Sequence, residues 1–300
     1  MTRPMQKMRE ELVRRNYAEN TIRTYERIVD DFRRFIGKRL DHAKPDEIRR
    51  YHAHLLEARK LDPRTVVQHV AAVRFLYCKT LKRRDMKEDL PYPRNYRRKL
   101  PVVLSPDEVA RLIESARNLY HRALIMTVYS CGLRRIEACR LKVSDIDSKR
   151  MMIRVTHGKG SVDRDVPLSP ALLDTLRQYW RWMRPQTYLF PGTEDGWRVD
   201  KPITAKMIWA AVDCAAKRAG ITKHVSPHIL RHSYATHQLE AGVDLKTLQV
   251  LLGHDDLATT SRYLHLSQKH LQSVSTPLDR ITLGNGAVRV PLSRRLRKPE

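Results

Sequence analysis

This 300-residue chain is short of the features that would place it in a membrane, in an oxidising compartment or around a nucleotide. No apolar run approaches the ~20 residues that span a bilayer; the longest candidates, such as Ala123 to Tyr129, are brief. The opening stretch, MTRPMQKMREELVRR, lacks the uninterrupted apolar core of a secretory signal. Four cysteines (Cys78, Cys131, Cys139, Cys214) show neither C-x-x-C spacing nor disulfide density, so buried free thiols in a reducing cytoplasm are expected. No Walker-type glycine loop is present, so no nucleotide cofactor is indicated. Acidic residues are the other shortage. Asp and Glu number 33 against 58 Lys and Arg, a formal net charge of +25 with an isoelectric point near 10.3. Such an excess repels itself in a compact chain, which points away from small-metabolite chemistry and toward a polyanionic partner. With no membrane segment in view, that partner is expected to be nucleic acid.

Hydrophobic residues make up 41% of the chain, enough for a real core, and the length suggests about two domains. Residues 1–100 hold 27 Lys and Arg against 14 Asp and Glu, while residues 101–300 hold 31 against 19. The first third is thus the denser electrostatic footprint, as expected of a DNA-contacting domain. It reads as helices only. Tyr25, Ile28, Val29, Phe32, Phe35 and Ile36 fall on one helical face, and Gly37 supplies a stop. Pro45-Asp46-Glu47 opens a helix carrying Ile48, Tyr51 and Leu55, and Asp62-Pro63 opens one carrying Val66, Val70, Val73 and Leu76. A small four-helix bundle over residues 1–89 is the expectation.

Residues 90–104 (LPYPRNYRRKLPVVL) carry three prolines among basic residues and read as an extended linker. Ser105-Pro106-Asp107-Glu108 then forms a capping box that starts a second domain, expected over 105–280. Helical patterns cover roughly 106–117, 120–130, 134–141, 169–182, 203–219, 227–241 and 244–252. MMIRVTH (151–157) and DRDVPL (163–168) read as a β-hairpin. Ser226-Pro227 and Asp244 mark helix starts, with Gly242 and Gly253 at C-terminal cap positions. The last twenty residues, 281–300, are basic and unpatterned, a tail.

Four short stretches carry the chemistry. Cys131-Gly132-Leu133-Arg134-Arg135-Ile136-Glu137 is a glycine break followed by arginines in a first helical turn; either arginine is a candidate on the residues alone. His157-Gly158-Lys159-Gly160 sets a lysine on a tight turn. Ser226-Pro227-His228-Ile229-Leu230-Arg231 puts His228 and Arg231 on one helical face. Leu251-Leu252-Gly253-His254 is followed nine residues after His254 by Tyr263. The rival for nucleic-acid chemistry, a two-metal nuclease, needs clustered carboxylates. Asp145 and Asp147 read as turn or cap residues, and Asp255 and Asp256 as loop and capping residues. His228 and His232 form an i, i+4 pair, which without a third ligand is weak evidence for zinc.

Gly132-Leu133-Arg134, Gly158-Lys159-Gly160, His228-x-Leu230-Arg231, Leu252-Gly253-His254 and Tyr263, in this order, resemble the tyrosine recombinase (phage integrase) family. The resemblance implies a mainly α, two-domain fold: a helical core-binding bundle followed by a mixed α/β catalytic domain with a small β-sheet. It implies a site made of Arg134, Lys159, His228, Arg231, His254 and the nucleophile Tyr263, with Glu137 as a supporting acid. Family spacing favours Arg134 over Arg135.

The implied reaction is site-specific DNA strand exchange through an O-(3′-phospho-DNA)-tyrosine intermediate, with no metal and no other cofactor. Physical chemistry makes sense of that set. A covalent relay conserves the phosphodiester energy, and a phenol with a pKa of about 10 is a good enough leaving group for reversal. Two arginines bridge the phosphoryl oxygens. Lys159 suits a general acid for the departing 5′-oxygen, and His228 a helper in removing the tyrosyl proton or bonding the phosphate. His254 suits a donor to a non-bridging oxygen. The implied partners are double-stranded DNA with inverted half-sites, further copies of the chain assembling as a tetramer in the synaptic complex, and a partner recombinase in some systems. The length argues against an additional arm-binding domain and for the Xer-type or mobile-element branches. The alternatives are a DNA-binding module without catalysis and supercoil relaxation without synapsis, as in type IB topoisomerases.

Overall fold

A computed structural model describes residues 2–83, 90–93, 102–156, 163–194, 197–254, 257–261 and 263. The chain divides into two compact units, Met1–Lys99 and Leu100–Glu300. Among the described residues no helix is long and apolar enough to cross a membrane.

The first unit is helical: α1 (Arg3–Arg14), α2 (Glu19–Ile36), α3 (Pro45–Glu57) and α4 (Pro63–Arg74), the last continuing as a π-turn over Phe75–Thr80. Its start and stop signals act as the sequence implies. Gly37 ends α2 in the left-handed region (φ 65°), and the Asp62 side chain accepts the Arg64 N–H at the start of α4. The apolar faces meet in one core. Ile28, Val29 and Phe32 of α2 are buried with Ile48, Tyr51 and Leu55 of α3 and Val66, Val70 and Val73 of α4. Phe32 packs edge-on against Tyr51 with ring centroids 4.9 Å apart. Leu90, at the start of the expected linker, is also buried in this core.

The second unit mixes elements: α5 (Pro106–Glu114), α6 (Leu119–Ser130), α7 (Arg135–Arg140), β1 (Ile146–Asp147), β2 (Met152–Val155), β3 (Arg164–Pro167), α8 (Pro170–Met183), β4 (Pro191–Glu194), β5 (Trp197–Pro202), α9 (Ala205–Arg218), α10 (Pro227–Glu240), α11 (Leu245–Leu252) and α12 (Leu257–Ser261). The Ser105–Glu108 capping box forms in both directions. The predicted hairpin is present, with Ile153 opposite Val166, and β1 adds a third antiparallel strand in the order β1-β2-β3. That strand and the β4–β5 hairpin are additions to the predicted set. Along β3, Arg164 and Val166 are buried while Asp165 and Pro167 are exposed. The pleat therefore turns an arginine inward.

Helix α10 is buried on most sides, with every residue from Leu230 to Thr236 buried. Two bonds tie the backbone of Leu104 to it. The Leu104 N–H donates to Ser233 Oγ (2.9 Å), and its carbonyl accepts from His237 Nε2 (2.9 Å). The last residue of the expected linker is thus part of the second unit's packing. Because that carbonyl can only accept, His237 carries its proton on Nε2, leaving Nδ1 to accept from the Tyr129 hydroxyl (2.7 Å). Helix α10 is thereby fixed beneath the site it carries.

Candidate active site

Three arginines, three histidines, one glutamate and one tyrosine converge at the end of α11. A helix of this length leaves its final carbonyls without intrahelical partners. Here guanidinium groups from three separate elements take them. Arg164 Nε donates to Leu251 O (2.7 Å), Arg231 Nη2 to Leu252 O (2.6 Å) and Arg134 Nη2 to Gly253 O (2.6 Å). The negative end of the helix dipole faces these same cations. Gly253, the C-cap, sits in the left-handed region (φ 59°), and a Cβ there would stand 3.0 Å from Arg164 Nη1. The glycine lets the arginine approach.

Arg231, on α10, is only 1% exposed and is the largest fully buried side chain described. Its Nη1 donates to Gly132 O (2.6 Å). Gly132 is in the left-handed region (φ 56°), and a Cβ at this position would lie 2.5 Å from the Tyr234 ring. The Gly-Leu-Arg stretch therefore does two jobs: its glycine presents a carbonyl to Arg231 where no side chain fits, and two residues later its arginine enters the cluster. Burial, with Arg134 nearby, pulls the Arg231 guanidinium down to about 10, which leaves it charged at neutral pH.

Glu137 binds the arginines together. It is buried on the first turn of α7 and accepts from the Arg134 N–H (2.9 Å) and Arg134 Nη1 (2.8 Å). It also accepts from both terminal nitrogens of Arg164 (3.2 and 2.8 Å), and Arg231 Nη1 lies 3.9 Å away. Burial alone would raise this carboxyl, but the Arg164 hydrogen bonds and charge outweigh it and hold the group at about 2. Of the two adjacent arginine candidates, Arg134 enters this cluster and Arg135 is exposed. Arg164 was not among the residues singled out from the sequence. Its position on a strand that alternates inward with Val166 is the signal that could have found it.

Tyr263 is 1% exposed, two positions after the end of α12. Its hydroxyl lies 2.8 Å from His232 Nδ1, and its ring is nearly parallel to that of His254, 8° apart at 6.4 Å. His254 is held at both nitrogens. Nε2 is 3.0 Å from Arg231 Nη2, and Nδ1 is 2.8 Å from Thr260 Oγ1. A guanidinium has only donors, so Nε2 accepts and the ring proton sits on Nδ1. His228 is exposed at the start of α10, its ring 4.2 Å from that of His232. His232, expected from its spacing only as half of a weak metal pair, thus lies on the tyrosine oxygen.

Arg134, Glu137, His228, Arg231, His254 and Tyr263 all line one cavity of about 580 Å³, with Ile136 and Trp209 as partly exposed apolar neighbours. Lys159, which follows β2 in the sequence, lies outside the described residues, as do Asp255 and Asp256. Asp145 and Asp147 have the turn role expected of them: Asp145 accepts the Lys142 N–H, and Asp147 those of Lys149 and Arg150.

A helical first unit and a mixed second unit, the latter gathering arginines, histidines and a tyrosine at one cavity, together describe a class of enzyme that acts on phosphodiesters. Residues 102–270 match the phage integrase family, and residues 5–86 match the phage integrase N-terminal SAM-like domain. The chain belongs to the phage integrase family, the tyrosine recombinases. It is 43% identical over 280 residues to a putative integrase/recombinase, y4qK, of Sinorhizobium fredii, covering 93% of this chain and 89% of that protein. It is 33% identical over 269 residues to a tyrosine recombinase of Thermosipho africanus, covering 85% of this chain and 92% of that protein. Among solved structures it resembles the XerA recombinase at 31% identity and a TM-score of 0.53, covering 90% of this chain and 95% of that one.

Proposed function

We propose that the cavity is the strand-exchange centre of a site-specific DNA recombinase working through a 3′-phosphotyrosine intermediate, without metal or ATP. One observation carries this reading: three guanidinium groups gather around a single carboxylate, and two of them, Arg134 and Arg231, line one cavity with Tyr263. The cluster is left with positive charge in excess. A phosphoryl group acquiring negative charge in its transition state is the ligand such an excess suits.

In this reading Tyr263 Oη attacks the scissile phosphorus, and Arg134 and Arg231 exchange carbonyl partners for phosphoryl oxygens. Lys159 protonates the leaving 5′-oxygen. His228, at the cavity mouth, bonds the phosphate. His254 has a different starting state from the donor expected of it, because its Nε2 accepts from Arg231. Once the phosphate takes over Arg231 Nη2, the ring proton moves to Nε2, which then donates to a non-bridging oxygen. The Thr260 hydroxyl can rotate to donate to Nδ1, so it serves either tautomer. Glu137 and Arg164 act through the others, holding the guanidinium groups at their angles.

The organisation that goes with this chemistry assigns DNA contact to residues 1–89, connection to 90–104, catalysis to 105–280 and a basic tail to 281–300. The partner is double-stranded DNA with inverted half-sites. The working assembly is a tetramer of this chain on two sites, with a second recombinase a further candidate partner, in the cytoplasm. Family membership does not favour a non-catalytic DNA-binding module or a relaxing enzyme without synapsis. The test is a nicked suicide half-site from which the 5′-hydroxyl strand diffuses away. The wild-type chain accumulates a covalent complex, and the Tyr263→Phe variant binds the DNA but forms none. A Tyr263→Phe variant that still links to DNA removes the nucleophile assignment.

A further inference from the structure

A phenol at neutral pH is overwhelmingly protonated, its pKa being about 10, so an attacking tyrosine needs somewhere to put its proton. The expected helper was His228. The geometry points elsewhere.

His232 follows Arg231 on α10 and is buried, 6% exposed. Its Nδ1 stands 2.8 Å from Tyr263 Oη, inside the range required of a general base, and the two ring centroids are 5.4 Å apart. Among the described residues, titratable or charged groups near this pair include His228 and Arg231 on the same helix and His254 before α12. Arg231 and Tyr263 lie close enough to interact electrostatically. His228 packs its ring against that of His232 at 4.2 Å while itself remaining exposed.

We propose that His232 positions the Tyr263 hydroxyl and accepts its proton as the oxygen attacks the scissile phosphate. This rests on the reading of Tyr263 as the nucleophile. With the ring proton on Nε2, Nδ1 accepts the hydrogen bond of the Tyr263 hydroxyl and is placed to receive its proton. As the Oη–phosphorus bond forms and the bond from phosphorus to the 5′-oxygen breaks, the phenol proton passes to Nδ1. The leaving oxygen takes its proton from a separate acid, the role given to Lys159. On religation both transfers reverse, and His232 returns the proton to the departing phenol. The residue next to the buried arginine thus couples phosphate binding to nucleophile activation within one helical turn.

The experiment is single-turnover cleavage of the nicked half-site between pH 6 and pH 9.5, with protein in excess over DNA. His232→Asn keeps a polar atom near the Nδ1 position but no basic nitrogen. It is expected to bind the DNA as the wild type does and to cleave about 100-fold more slowly at pH 7, within the usual range for a lost general base. The deficit narrows toward pH 9.5, where the phenol ionises unaided. A deficit that stays constant across the pH range, or one smaller than about threefold, overturns the proposal. Loss of DNA binding in both His232→Asn and His232→Gln overturns it too, because the residue is then a packing element. Tyr263→Phe is run alongside. Covalent linkage there defeats the nucleophile reading, whereas its absence with an unimpaired His232→Asn defeats only this inference.

Discussion

The two units hold arginine in opposite ways. In the first, arginines ring the helices and pair with nearby carboxylates in water: Arg14 with Glu11, Arg23 with Glu19 and Arg34 with Asp30, each of these arginine side chains more than 70% exposed. In the second, Arg164 and Arg231 are buried to within a few per cent and are held by one carboxylate and a run of helix-end carbonyls. Surface pairs of the first kind contribute little and fade with salt. Breaking a buried pair of the second kind costs roughly 3–5 kcal/mol, because a desolvated charge is left uncompensated. Charge in the first unit is a diffuse field. In the second it is fixed in place.

That contrast is broken most severely at Arg231. Arg231→Lys replaces the planar fork that holds the Gly132 and Leu252 carbonyls, and that passes to the phosphate, with a single ammonium. Single-turnover cleavage is expected to fall by about 10²–10³, the usual cost of one preorganised donor, while a filter-binding assay finds DNA affinity little changed. A rate within tenfold of wild type would remove Arg231 from the chemistry.

Glu137→Gln comes next and sharpens the comparison by pH. The Glu137 carboxyl lies at about 2 against an ordinary 4.5, so its stabilising contribution is fully present above about pH 4.5 and is lost as pH falls through 2. A shift of that size corresponds to about 3 kcal/mol. In urea unfolding at pH 7 the variant should be destabilised by about that much. The gap to wild type should close on going from pH 5 to pH 3 and below. A gap independent of pH would show that Glu137 is held by packing and not by its charge.

The smallest effect is expected in the first unit. The double variant Arg23→Gln/Arg34→Gln should leave the midpoint of urea unfolding almost unmoved, since both side chains are largely in water. One molar salt separates the two classes further. It should erase what these surface pairs contribute, yet leave the Glu137→Gln penalty at pH 7 largely intact.

The sequence made the helices legible because their signals are local. Asp62 before Pro63, the Ser105–Glu108 box and Gly37 after Ile36 each act within one turn. The site motifs were legible for a similar reason: Gly132 and Gly253 stand where a side chain would collide, beside the arginines they admit. The β4–β5 hairpin was not legible. Its strands are short, each contains a proline, and the register is interrupted between Pro191 and Thr193, so no clean alternation survives. Arg164 and His232 were missed because their contacts are distant. Arg164 meets a glutamate 27 positions away and a carbonyl 87 away, and His232 meets a tyrosine 31 away. For Arg164 a cue was nevertheless present. If Val166 faces the core, strand alternation sends Arg164 the same way.

The central claim is that one fixed arginine cluster delivers a phosphate to one phenol. The most direct measurement is to trap the wild-type chain on a nicked half-site, digest the adduct with protease and nuclease, and locate the residual nucleotide by peptide mass spectrometry. The account predicts a single nucleotide joined through its 3′-phosphate to Tyr263. Attachment at any other side chain, or through a 5′-phosphate, would contradict it.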